Sequence, residues 1–137
     1  MPRNKTFNEV NWSDPNGNHI NAYSKSKTLA EKAAWEFQKK LPEDQRFEIV
    51  VLNPSMMVGP AFFKAESSSF QIVEKVMNNA MPGMPLVKLA MVDVREVAMA
   101  HLLSIKNREA ANRRFIIYNN SMMCCELATV MKSEFDP

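Results

Sequence analysis

Two residues one helical turn apart, Tyr23 and Lys27, form the strongest chemical candidate in this 137-residue chain. They lie in "NAYSKSKTLAEKAAWEFQKK", residues 21–40. Side chains at i and i+4 are neighbours on a helix. A free tyrosine, with a pKa near ~10, is a poor proton shuttle at neutral pH. An ammonium beside it favours the phenolate. At about 4 Å and an effective dielectric near 20 that attraction is at most about 4 kcal/mol, enough to bring a phenol toward efficient acid–base exchange. Carbonyl reduction needs such a group, to protonate the oxygen as hydride reaches the carbon. The competing reading is a lysine whose stem lies on an apolar face while its ammonium snorkels into water.

The helix that must position the pair is predicted over residues 20–40. At about 100° per residue, Tyr23, Ser26, Lys27, Ala30, Ala33, Ala34 and Phe37 share one stripe, the predicted buried face. Lys25, Lys32, Glu36 and Lys39 take the opposite side, and Pro42 stops the helix. "FEIVVLN", 47–53, reads as a central parallel strand, apolar on both faces. "PSMMVGPAFF", from Pro54, follows as a loop in the crevice beyond the strand end, where open α/β sheets bind ligands. Residues 67–79 read as a helix with a serine N-cap. "LVKLAMV", 86–92, reads as a strand. Asp93 and Glu96 have the spacing of a capping box for a helix whose stripe is Val94, Val97, Ala98, His101 and Ile105. "RFIIYN", 114–119, is a further buried-type strand, and Ser121 is placed to cap a last helix to about Glu134. The alternation of helix and strand argues for α/β architecture with a mostly parallel sheet.

Other residues carry less. His101 reads as a satisfied core histidine, and His19 belongs to no motif. The methionine pairs read as gap-filling core, except Met56 and Met57, which fall in the predicted crevice. Cys124 and Cys125 are adjacent, so they suit only a strained disulfide, and no CxxC or Cys/His set suggests zinc. The expectation is therefore no metal and a reducing, cytoplasmic setting. The net charge of +2, without a basic cluster, points away from nucleic acid and anionic membranes. No apolar run approaches the roughly 18 residues of a membrane span. Gly17, Gly59 and Gly83 are the only glycines, so no two could share one phosphate-cradling GxGxxG loop.

Several stretches together resemble the extended short-chain dehydrogenase/reductase superfamily, in the branch of dihydroflavonol and cinnamoyl-CoA reductases. They are "FNEVNWSDPN" (7–16), "AYSKSKTLAEKAAWEF" (22–37), "VVLNPSMMVGP" (50–60), "MVDVREVAMAHL" (91–102) and "RRFIIYN" (113–119), in the family's order across nearly the whole chain. The resemblance implies the C-terminal portion of a Rossmann-type, doubly wound, mostly parallel sheet. The chain would divide into a polar lead-in (1–19), a Tyr-x-x-x-Lys helix with strand and nicotinamide-side loop (20–60), and substrate-side and C-terminal elements (61–137). It further implies an NAD(P)-dependent aldehyde or ketone reductase, with NADP(H) ahead of NAD(H) and a small carbonyl or alcohol substrate. Tyr23 matches the acid–base tyrosine, and Lys27 the lysine that tunes it and binds the nicotinamide ribose. Pro54, Ser55, Met56 and Met57 match the segment along the nicotinamide, and Ser69 a cofactor contact. The family's glycine-rich loop and catalytic serine precede this helix by more than its 22 upstream residues can hold. The resemblance thus implies a truncated chain, with the Tyr23 stripe bare, one strand edge open and little activity of its own. Sugar-nucleotide epimerases/dehydratases and 3β-hydroxysteroid dehydrogenases share Tyr-x-x-x-Lys and are the alternatives within the enzyme class. A non-catalytic fragment that pairs with another chain is the alternative of a different class.

Overall fold

A computed structural model describes residues 6–62, 67–78 and 80–135. In chain order the α-helices and strands are α1 (Ala22–Lys40), β1 (Val50–Pro54), β2 (Met56–Val58), α2 (Ser68–Met77), β3 (Lys88–Asp93), α3 (Val94–Lys106), β4 (Arg113–Ile117), β5 (Asn120–Met123) and α4 (Cys124–Phe135). The chain divides into two compact units.

The first unit comprises Met1–Asn53 and Ser104–Ile116. Asn21 starts α1, its Oδ1 accepting the Ser24 N–H at 2.7 Å. Lys39 and Lys40 in the last turn complement the helix dipole, and the helix stops at Leu41, ahead of Pro42. β1 begins at Val50, later than the predicted start, and pairs with β4. It is half-buried along its whole length, and β4 is its one paired neighbour among the described residues. This corrects the expectation of a strand covered on both faces; the open edge agrees with the reading of the family motifs.

α1 also packs differently from its periodicity. Its less exposed positions are Ser24, Thr28, Glu31, Lys32, Trp35 and Gln38. The predicted buried stripe, Tyr23, Ser26, Lys27, Ala30, Ala33, Ala34 and Phe37, is exposed throughout. The reason is polar pairing on the other side. Gln38, only 7% exposed, donates from Nε2 to the Phe47 carbonyl (2.8 Å) and to Asn112 Oδ1 (2.9 Å). Asn112 holds a left-handed conformation (φ 57°), one that asparagine tolerates better than most residues.

The second unit comprises Pro54–Leu103 and Ile117–Pro137 and holds most of the apolar core. β2 runs parallel to β3 (Met56 opposite Met91), and β5 runs antiparallel on the other side of β3 (Lys88 opposite Met123). Val76 from α2, Met91 and Val92 from β3, Val97 from α3, and Cys124 and Met131 from α4 are buried. Ser67 caps α2 as predicted, its Oγ accepting the Phe70 N–H. The predicted end of that helix, Asn79, lies outside the described residues, as does Phe63 of the predicted loop. The capping box of α3 also forms. Asp93 Oδ1 accepts the Arg95 N–H at 2.8 Å, and Glu96 Oε2 accepts the Asp93 N–H at 3.3 Å.

Three expectations need correction here. Residues after Pro54 are not all loop, because Met56–Val58 joins the sheet as β2. Ser121 does not cap the last helix, because it lies within β5; Glu126 Oε2 accepts the Met123 N–H at the start of α4 instead. His101 is exposed rather than in the core, its Nδ1 lying 2.8 Å from the Val97 carbonyl oxygen. Ala98 and Ile105 of the same predicted stripe are exposed too.

One position in this unit requires glycine. Gly59 has φ 118°, and a Cβ there would lie 3.2 Å from Val94 Cγ1 and 3.3 Å from Asp93 Oδ1. Gly59→Ala is expected to destabilise the chain by about 1–3 kcal/mol through backbone strain. Urea denaturation should show the midpoint lowered with an unchanged slope.

Candidate active site

In the first unit, Tyr23 and Lys27 occupy the first two turns of α1. Lys27 Nζ is 5.6 Å from the centroid of the Tyr23 ring. Tyr23 is 65% exposed, and Lys27 is also exposed. The pair is thus one unit of structure, within mutual reach and open to a ligand. Ser26 Oγ donates to the Tyr23 carbonyl at 2.8 Å, so it acts on the helix backbone and leaves the phenol unengaged by this bond.

What holds this helix is a cluster that the periodicity did not reveal. The Arg114 guanidinium meets the Glu31 carboxylate in two parallel bonds, Nε to Oε1 at 2.5 Å and a terminal nitrogen to Oε2 at 3.0 Å. Trp35 Nε1 donates to the same carboxylate at 3.2 Å. Arg114 also donates to the Glu9 and Asn11 carbonyls and stacks on the Trp12 ring, 3.7 Å from its centroid. The two charged side chains are 18% and 11% exposed. Burial pushes the Glu31 carboxyl up, but the bonds from Arg114 and Trp35, the Arg114 charge and a bond from Asn53 outweigh it and hold it below its ordinary value. Glu31 stands one turn after Lys27, so the cluster fixes the rotation of α1 and with it the outward direction of the pair. Lys27 itself lines a small polar cavity of about 220 Å³ with Asn11, Ser13, Asn53, Glu31 and Arg114. The available signals for the cluster were an arginine leading into an apolar strand and a Glu–Trp pair at i, i+4. Neither identifies its partner without the fold.

In the second unit, Pro54 closes β1, and the Ser55 N–H donates to the Ile117 carbonyl at 2.9 Å. Ser55 Oγ is buried and has no hydrogen-bond partner. Met56 is half-buried, opposite Met91, and Met57 is exposed. Ser69 is half-buried in the first turn of α2, a helix that packs on β2. The structure therefore brings Tyr23 and Lys27 together in one unit, and the Pro54–Met57 segment with the Ser69 helix in the other. Among the described residues, no group of three or more His, Cys, Asp or Glu side chains could hold a metal ion. No helix there is long and apolar enough to cross a membrane.

Comparison with known proteins gives this geometry a context. No family model matches the chain. It is 31% identical over 145 residues to the NADPH-dependent methylglyoxal reductase GRE2 of Saccharomyces cerevisiae, covering 95% of this chain and 41% of that one. It is 34% identical over 95 residues to the cinnamoyl-CoA reductase CAD2 of Medicago truncatula, covering 69% of this chain and 28% of that one. The crystal structure of Gre2 in complex with NADPH from Candida albicans superposes with a TM-score of 0.73 and 32% identity, over 96% of this chain and 40% of that one. The chain spans about two fifths of the length of the curated relatives it matches. The antiparallel strand β5 beside a parallel pair is an ordinary variation on such sheets. Motifs, fold and relatives together place the chain in the short-chain dehydrogenase/reductase superfamily, where it matches the C-terminal part of longer proteins.

Proposed function

We propose that this chain is the proton-handling part of an NADP(H)-dependent reductase of small aldehydes or ketones. One observation carries the reading: an exposed Tyr23 with the Lys27 ammonium 5.6 Å from its ring, in a chain matched over 95% of its length by a methylglyoxal reductase. A nicotinamide dinucleotide, when bound, would supply the hydride for the carbonyl carbon. Tyr23 Oη gives its proton to the carbonyl oxygen, and in the reverse direction takes it from the alcohol. Lys27 stabilises the phenolate that remains and offers ammonium protons to a ribose hydroxyl. Pro54, Ser55, Met56, Met57 and Ser69 are proposed to line the nicotinamide side. Ser55 supports this directly, because a buried hydroxyl without a partner has hydrogen-bonding capacity to give. The free thiols of Cys124 and Cys125 suit a reducing, cytoplasmic setting.

The residues present fit only one end of the cofactor. A dinucleotide pyrophosphate binds at a helix N-terminus reached through closely spaced glycines, and Gly17, Gly59 and Gly83 are too far apart for that. The 137-residue chain alone is therefore expected to bind NADPH poorly and to reduce no aldehyde. Titration calorimetry is the check. Tight NADPH binding by this chain would overturn the division of labour proposed here.

A further inference from the structure

The charged side of α1 forms one wall of a second cavity in the first unit, of about 480 Å³. Lys32, Trp35, Glu36 and Lys39 recur there at i, i+3, i+4 and i+7, with Gln38 beside them. Trp12, before α1, and Asn112, just ahead of β4, complete the lining with Arg114. Neither Tyr23 nor Lys27 belongs to it. The volume lies within the range of small-molecule sites, about 300–1,000 Å³. Three features give the cavity a chemistry. The first is aromatic: both indoles of the chain lie on it, and the Trp35 ring is fixed by its bond to Glu31. The second is charge. Lys32 and Lys39 have no ion pair among the described residues, and Glu36 is the one carboxylate on the wall. The Arg114 charge is already answered by Glu31. The third is a pair of amides. Gln38, only 7% exposed, commits both Nε2 hydrogens, to the Phe47 carbonyl and to Asn112 Oδ1. A backbone carbonyl can only accept, so the Gln38 amide has one orientation, and its Oε1 is left without a partner among the described residues. Asn112 Oδ1 also accepts the Ile49 N–H at 3.4 Å, which leaves the Asn112 Nδ2 donor unused there.

We infer that this cavity binds a planar ring that has an N–H beside a carbonyl and carries a phosphate or carboxylate, the chemistry of a uridine nucleotide. The ring packs against the indoles, as bases do on aromatic side chains. Its N–H donates to Gln38 Oε1, and its carbonyl accepts from Asn112 Nδ2. The anionic group meets Lys32 and Lys39 in charge-assisted bonds. Other ligand classes fit less well. A cation would be repelled by the two lysines, and an apolar ring would leave Gln38 Oε1 unpaired as it closed the cavity. Uridine nucleotides share no base with NADPH, so binding here is separable from any cofactor contact at Tyr23 and Lys27.

Trp12 and Trp35 are the only tryptophans, so intrinsic tryptophan fluorescence reports on this cavity. Titrating the 137-residue chain with uridine 5′-monophosphate should change that fluorescence saturably. Uridine, which lacks the phosphate, and the N3-methylated monophosphate, which lacks the ring N–H, should each bind about tenfold or more weakly. Lys32→Gln combined with Lys39→Gln should weaken binding of the unmodified monophosphate by a similar factor. Lys25→Gln, at an exposed position off the cavity, should leave it unchanged. The methylated probe leaves the protein untouched, so its result stands whatever the substitutions do to folding. The proposal is overturned if no saturable change occurs, or if the methylated and unmodified monophosphates bind equally. It is overturned too if inorganic phosphate alone produces the same change, which would mark a counter-ion site only. Lys25→Gln weakening binding as much as the paired substitution would reduce the effect to overall charge and sink the site.

Discussion

In a protein that joins this chain to the N-terminal part of the Saccharomyces reductase lying outside the match, Tyr23→Phe should lower kcat for a small aldehyde by about 10²–10⁴-fold, the range expected when a positioned general acid is removed. The change deletes one oxygen and keeps the ring, so the exposed face of α1 retains its apolar character. NADPH affinity and assembly should stay close to those of the parent protein. That separation makes the result diagnostic. A merely structural tyrosine would move stability or affinity, whereas a proton donor moves the chemical step alone. Retained turnover in the Phe variant, at unchanged NADPH affinity, would remove Tyr23 from the mechanism.

The second large effect belongs to Glu31. Its carboxylate pairs in two bonds with Arg114, and both side chains are largely buried. Glu31→Ala leaves a buried guanidinium without its anion, a loss of about 3–5 kcal/mol for pairs of this kind. For a domain of this size that should lower the melting temperature by roughly 10 °C. Arg114 would keep its bonds to the Glu9 and Asn11 carbonyls, which moderates the cost toward the lower end. Replacing both partners by apolar residues, as in Glu31→Leu with Arg114→Met, should recover much of the loss. A melt unchanged by Glu31→Ala would show that the pair contributes nothing to the unit. The pH dependence has a definite sign. The Glu31 carboxyl is held below its ordinary value of 4.5 in the folded chain. Its stabilisation is therefore present above that value and is lost as pH falls through the lower, folded one. Acid unfolding should lose this contribution in the Glu31→Ala variant.

The legible parts of the sequence were those set by neighbours along the chain. Ser67 before α2 and the Asp93–Glu96 box each act within three residues, so reading them needs no tertiary knowledge. The adjacency of Tyr23 and Lys27 was legible for the same reason, because one helical turn separates them. What escaped was set at long range. β2 and β5 have three and four residues, too few for a pattern, and exist because β3 offers them an edge on either side. The bare Tyr23 stripe agrees with what the family motifs implied, but the polar face through which α1 packs escaped, because amphipathicity points to where a helix is apolar. Here Arg114, 83 residues further on, and Asn112, 74 residues beyond Gln38, decide the matter through polar bonds. Ser55 was read for its motif, and its unpartnered hydroxyl became visible only with the fold.

The discontinuity of the first unit has a temporal consequence. Its two pieces, Met1–Asn53 and Ser104–Ile116, are separated in the chain by the body of the other unit. During synthesis α1 is complete long before Arg114 exists to hold it. From Asn53 to Ile116 is 63 residues (116 − 53), which at about 5–20 residues per second takes on the order of 3–13 s. Through that interval the residues of α1 are already made while Arg114 and Asn112, which hold the folded helix, are not. Newly made chains are therefore expected to be most prone to mispairing in this window, and a chaperone would act on them there.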